Sequence, residues 1–229
     1  MARTYLVRKG DTLARIARRE LGDANAWRVL ADYNGLPSPD QILVGQQIWL
    51  PSQRERRPAT PPPSADRWPA PPHGFQAICD TFGDIRAYVG DDGGLAPAWE
   101  KERITRATLP FSIPLAWDTS KRVSAITCHR LIAPLVEEVF REIVARRLQA
   151  ALKTFGGGYA YRSKRGALKP STHAWGIAFD LNPATNAMGT TGDMDQRLVE
   201  LIEGFGFLWG GRWAGRGKDP MHFQYCTGY

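Results

Sequence analysis

The stretch Ser52 to Pro72 reads SQRERRPATPPPSADRWPAPP and constrains this chain more than any other. Each proline fixes φ and removes a backbone donor, so the run cannot sit inside a helix or a sheet. Its few apolar residues cannot support a core, and its composition favours extended polyproline geometry at ~3.1 Å per residue. No single core can pass through such a segment. The chain therefore divides into a small N-terminal module (residues 1–51), a proline-rich spacer (52–73) and a larger C-terminal domain (74–229). At 229 residues in all, the larger part is long enough to bury a core of ordinary size.

Several function classes recede on composition. No apolar run approaches the ~20 residues that span a bilayer, so the membrane is not an expected partner. The opening Met1-Ala2-Arg3-Thr4-Tyr5 lacks the apolar stretch of a secretory signal, which predicts synthesis in the cytoplasm. The net charge of +7 suits a polyanion. No basic run is interleaved with aromatics, so nucleic acid is not expected either. The three cysteines, Cys79, Cys128 and Cys226, are odd in number and widely spaced. They read as small buried apolar residues rather than a disulfide framework or a thiolate metal knot.

The N-terminal module reads as strand, helix, helix, strand. Tyr5 to Arg8 is a short strand, and Gly10-Asp11-Thr12 a turn whose Asp11 or Thr12 caps a helix over Leu13 to Arg19. Ala26 to Tyr33 is a second helix ended by Asn34-Gly35, and Gln46 to Pro51 a closing strand. This βααβ order, with Gly10-Asp11-Thr12-Leu13, Ile16-Ala17, Asn34 and Val44-Gly45-Gln46 in sequence, resembles the LysM cell-wall-binding module. The resemblance implies a shallow groove for N-acetylglucosamine chains formed by Gly10, Asp11, Thr12 and the stretch Pro39 to Ile42, within it Asp40, Gln41 and Ile42. Arg19-Glu20-Leu21-Gly22-Asp23 followed by Trp27-Arg28 is also similar to LysM modules of phage tails and contractile injection systems, which serve assembly. Glycan and tail protein both stand as partners at this point.

The C-terminal domain mixes element types and is expected to be α+β. Ala133 to Leu148 is an amphipathic helix with Leu135, Val136, Val139, Phe140, Ile143 and Val144 on one face. Met194 to Gly204 is a second helix, with Asp193 near its start. Tyr159 to Arg162, Gly176 to Leu181 and His222 to Cys226 read as strands. Residues 75 to 118 yield only a capping region.

Four histidines limit the chemistry. In Ser171-Thr172-His173-Ala174-Trp175-Gly176-Ile177-Ala178-Phe179-Asp180-Leu181, Asp180 sits in an apolar strand, where a charge is costly unless paired or metal-bound. Asp219-Pro220-Met221-His222-Phe223 repeats the theme. From the residues alone, one shared metal and a buried His–Asp hydrogen bond both remain open. Both segments resemble the VanY and D-Ala-D-Ala group of zinc peptidases, which includes phage endolysins: Ser-x-His-x-x-Gly-x-Ala-x-Asp matches from Ser171 to Asp180, and an acid three residues before His-Phe matches at Asp219.

The resemblance implies a hedgehog/DD-peptidase-like domain with an antiparallel sheet and flanking helices. It also implies Zn²⁺ held by His173, Asp180 and His222, with Asp219 as the general base. Arg162 would stabilise the oxyanion, and Ser171 would either bond substrate or brace the loop of His173. Peptidoglycan would be the substrate. Many relatives carry Glu where Asp219 stands, and the shorter acid leans toward endolysin-like L-alanyl-D-glutamate endopeptidases, with a D,D-carboxypeptidase or D,D-endopeptidase as the alternative. Action in the cell wall or periplasm, after lysis or delivery by a particle, follows from that reading. His129 reads as structural and His73 as solvated, while Trp209 and Trp213 either wall the cleft or join the core.

Overall fold

The computed structural model describes residues 3–27, 30, 31, 34, 36, 42–50, 67–162 and 169–229. The chain separates into two compact units, Met1–Thr60 and Pro61–Tyr229. No helix among the described residues is long and apolar enough to cross a membrane.

In the smaller unit, β1 (Arg3–Leu6) pairs antiparallel with β2 (Gln47–Leu50), Tyr5 opposite Ile48. The first strand thus begins and ends earlier than the expected Tyr5 to Arg8. Helix α1 (Leu13–Leu21) starts at Thr12, whose side chain accepts from the Arg15 amide, and stops at left-handed Gly22. Its Leu13, Ile16 and Ala17 pack on Tyr5, Val7, Leu30, Ile48 and Leu50. The Asn34 amide donates to the Leu30 and Trp49 carbonyls and accepts from the Trp49 amide, tying the return segment to β2. Much of the expected helix Ala26 to Tyr33, and Asp40 and Gln41, lie outside the described residues.

The larger unit opens with α2 (Gly74–Phe82) and α3 (Pro97–Arg103). A long hairpin follows, β3 (Ile104–Pro114) with β4 (Arg122–His129), and then α4 (Ala133–Ala145). The remaining elements are β5 (Phe155–Gly157), β6 (Ala178–Leu181), α5 (Gln196–Gly204), β7 (Leu208–Trp209) and β8 (His222–Gln224). Strands β5-β6-β8-β7 form an antiparallel sheet in that order. Phe179 of β6 stacks on Phe223 of β8 and meets Phe140 of α4, which locates the core between sheet and helix. The fold is α+β.

Several boundaries differ from expectation, each for a local reason. Helix α4 ends before Leu148 because Arg147 turns left-handed (φ 59°) and folds buried Leu148 back, its amide bonding the Ile143 carbonyl. Helix α5 is capped by Asp195, which accepts from the Arg197 amide; Asp193 instead accepts from Thr185 and Asn186 in the preceding loop. The strand expected over Tyr159 to Arg162 lies earlier, at β5. Beyond Gly157 the backbone changes partners, with Tyr159 donating to the Thr127 carbonyl and Ala160 to that of His173. Residues 67–73 do not behave as spacer: Trp68 is buried in the core, Pro69 accepts from the Tyr225 hydroxyl and Pro72 from the Thr227 amide. Prolines reach these places because their carbonyls still accept. His73 is exposed yet meets Thr227 Oγ1 at 3.0 Å.

His129 is fully buried, and its ring does two jobs at once: Nε2 contacts the Phe82 carbonyl at 3.0 Å and Nδ1 accepts from the Leu131 amide at 3.2 Å. That pattern needs the neutral ring protonated on Nε2. Burial pushes its pKa down to about 4. Between that value and the unfolded ~6.5 only the unfolded chain takes up the proton, so stability is lost as pH falls through this window. The expected contribution is about 3 kcal/mol at most. Urea unfolding of wild type and His129→Leu at pH 7 and pH 4.5 checks it: the substitution should flatten the pH dependence.

Candidate metal centre

Strands β6 and β8 pair with Asp180 directly opposite His222, so two side chains project from one face of the sheet at neighbouring positions. The third arrives from a single 3₁₀ turn, Thr172–Trp175, which leads into β6 through left-handed Gly176. A Cβ at Gly176 would stand 2.7 Å from the His129 backbone nitrogen, so glycine is required both by φ and by the close pass of β4. Gly158 is under a similar constraint, since a Cβ there would meet the Thr127 carbonyl at 2.8 Å. Its own carbonyl is what orients the first histidine.

His173, Asp180 and His222 are all buried. His173 Nε2 lies 3.2 Å from His222 Nδ1 and 3.3 Å from Asp180 Oδ1, and His222 Nδ1 lies 3.0 Å from Asp180 Oδ1. Ligands ~2.0–2.1 Å from a tetrahedral zinc are separated by about 3.3 Å, so this triangle fits one face of such a site. The opposite ring atoms are also engaged. His173 Nδ1 contacts the Gly158 carbonyl at 2.7 Å, which assigns its proton to Nδ1 and leaves the Nε2 lone pair facing the triangle. Gln224 donates to the Cys226 carbonyl, so its Oε1 faces His222 Nε2 at 3.1 Å; that assigns the second proton to Nε2 and the lone pair to Nδ1. Thr172 Oγ1 adds a contact to His222 Nε2 at 3.3 Å. Two nitrogen lone pairs and a carboxylate oxygen thus converge, an arrangement that a cation relieves and a simple His–Asp hydrogen bond does not require.

Around the triangle lies a cleft of about 450 Å³ whose lining includes Arg162, Ser171, Trp213, Asp219 and Tyr229. Arg162 is exposed and held by backbone pairing with Ser171. Ser171 is buried, and its Oγ receives the His173 amide at a long 3.4 Å, so it braces the turn. Asp219 is positioned by its amide on the Gly210 carbonyl and by its own carbonyl, which accepts from His222. The two tryptophans divide: Trp213 lines the cleft 5.6 Å from the His222 ring, whereas Trp209 is buried and donates to the Pro220 carbonyl. Sequence reasoning missed Gln224 and Thr172; only their contacts with the His222 ring reveal them. The three cysteines are buried and form no disulfide.

In the smaller unit, the Gly10 carbonyl accepts from Arg15, and Asp11 accepts from the Tyr5 hydroxyl at 2.7 Å and the Arg8 amide at 2.8 Å. Hydrogen bonds from Arg8 and Tyr5 hold the Asp11 carboxyl below its usual range. Asp11 therefore shapes the turn.

Residues 165–225 match the family model described as D-alanyl-D-alanine carboxypeptidase, and residues 5–51 match the LysM domain. Among curated proteins, the chain is similar to an esterase of Mycobacterium tuberculosis, 39% identical over 51 residues, which is 22% of this chain and 11% of that protein. An uncharacterized protein of Deinococcus radiodurans is 38% identical over 47 residues, 20% of this chain and 19% of the other. The chain thus spans about a tenth to a fifth of the length of these relatives. No solved structure matches.

Gln224→Leu should weaken zinc binding on the order of 10- to 100-fold with the fold retained, because the orientation of His222 is released. Competition against a chromogenic chelator reads this directly, and unchanged affinity would reduce Gln224 to packing.

Proposed function

We propose, from a LysM segment and a carboxypeptidase-family segment in one chain, that this protein is a zinc peptidase cutting the stem peptides of peptidoglycan. The observation that carries the reading is the convergence of His173 Nε2, His222 Nδ1 and Asp180 Oδ1 within 3.0–3.3 Å of one another, with the outer ring nitrogens already satisfied. These three residues would hold zinc; His, His and carboxylate are a donor set of catalytic zinc sites, which keep a fourth position open. Bound there, zinc would supply Lewis acidity toward a water and the scissile carbonyl.

The chain's own groups do the rest. Asp219, lining the same cleft, takes the proton of the attacking water and later delivers it to the leaving amine. Arg162 presents its guanidinium to the oxyanion as charge develops. Ser171 acts by holding the turn of His173. Trp213 covers one wall of the cleft and limits water beside His222. The bond we favour is L-alanyl-D-glutamate, because Asp stands where many relatives of the resembled family carry Glu. Residues 1–51 would hold the enzyme on glycan strands through Gly10, Thr12, Ile42 and the neighbouring Asp40 and Gln41, with Asp11 shaping the turn. The proline-rich spacer would turn that hold into a high local substrate concentration. Its site of action would be the cell wall.

Digestion of purified sacculi followed by mass spectrometry should release fragments with a new D-glutamyl amino terminus. Chelation should abolish the release and added zinc restore it; no new termini, or insensitivity to chelator, defeats the reading. His173→Ala should lose both zinc and activity. Asp219→Asn should keep zinc and lower kcat by about 10²- to 10⁴-fold. If the isolated module fails to sediment with sacculi, residues 1–51 belong to an assembly role instead.

A further inference from the structure

A second hollow, of about 470 Å³, shares Arg162, His173 and Asp180 with the first but runs over the hairpin instead of toward Asp219. Its floor is the outward face of β4, where Val123, Ala125 and Thr127 alternate on one side. Arg106 stands directly opposite Thr127 in the register and therefore on the same face. The wall is the glycine run beyond Phe155, and at Gly157 a Cβ would meet nothing within 4 Å, so this backbone borders open space. Trp117, 67% exposed, completes the lining. The groove is thus a channel continuous with the metal centre and floored by strand. Its lining carries two guanidiniums, Arg106 and Arg162, and a single carboxylate, Asp180, which is committed to the triad. Arg106 is exposed and forms no ion pair among the described residues.

We infer that this groove takes the carboxylate-bearing, extended part of the substrate peptide, with Arg106 binding one of its carboxylates. The inference rests on the peptidase reading and adds to it a preference for free acids over carboxamides. An extended chain suits a strand-floored channel, and a guanidinium binds a carboxylate through two parallel hydrogen bonds that a carboxamide cannot reproduce with charge. Arg106 is a binding residue here; it takes no part in the proton transfers.

The experiment uses the full-length, zinc-loaded chain and sugar-free stem peptides, so that glycan binding by the N-terminal module contributes nothing. One peptide carries its D-glutamyl and third-residue carboxylates free and the other carries them as carboxamides. Wild type should bind the acid more tightly by calorimetry and cut it with a lower KM. Arg106→Gln should raise KM and Kd for the acid on the order of tenfold, leave kcat alone, and leave the amide unchanged. Arg106→Lys should recover part of the loss. Equal effects on both peptides, or none, overturn the inference while leaving the peptidase reading intact. Discrimination in binding without cleavage of either peptide by wild type upholds the groove and defeats the peptidase reading.

Discussion

Everything at the centre of the larger unit depends on one pairing, Asp180 opposite His222 across β6 and β8. A carboxylate in an apolar strand is tolerated only if its charge is answered, and the antiparallel register sets a histidine nitrogen beside it, so that the two face a common point where a cation would answer that charge. The 3₁₀ turn then delivers His173 to the same point. The outer nitrogens are held by a backbone carbonyl on one side and by Gln224 on the other, so both rings turn lone pairs inward. Buried polar groups of this kind are stable only as a complete set, and here the set extends through Thr172 and Gln224 to the Cys226 carbonyl.

The β3–β4 hairpin serves this centre twice. Its inward side chains, Ala107, Leu109, Ile113, Ile126 and Cys128, belong to the core beneath α4. Its outward face floors a groove that reaches the triad. The contact between hairpin and site is made by backbone: His129 on the Gly176 carbonyl and Tyr159 on the Thr127 carbonyl. Glycine at 158 and 176 is what lets these chains approach so closely. Residues 75 to 118, which have no motif of their own, thereby contribute a helix pair, a core strand and a wall of the site.

Much of this was legible in the sequence where a pattern is local. The amphipathic face of α4, the Thr12 cap and the small residues around His173 each encode their structure within a few positions. Where partners are distant, the reading slipped. The strand assigned to Tyr159 to Arg162 lies at Phe155–Gly157, because strand identity there depends on which neighbour pairs with the glycine run. Trp68 looked like spacer and is core, since burial of a lone tryptophan among prolines is decided by the surface it meets. The helix expected from Met194 starts two residues later, at Gln196, because Asp195 accepts from the Arg197 amide and caps it there.

The sequence by itself determined the kinds of groups available: two histidines and an aspartate in small-residue and apolar settings, a nearby second acid, and a break that forbids one continuous core. It could not decide between a shared metal and a buried His–Asp hydrogen bond, because both need the same residues. Tertiary structure decided which atoms face one another. The register of β6 and β8, the turn at Gly176 and the amide of Gln224 direct two ring lone pairs and one carboxylate oxygen to a common point. That convergence is a property of three segments meeting, and proton placement on each ring is set by an oxygen outside the triangle: the Gly158 carbonyl for His173 and the Gln224 side chain, two residues along the same strand, for His222.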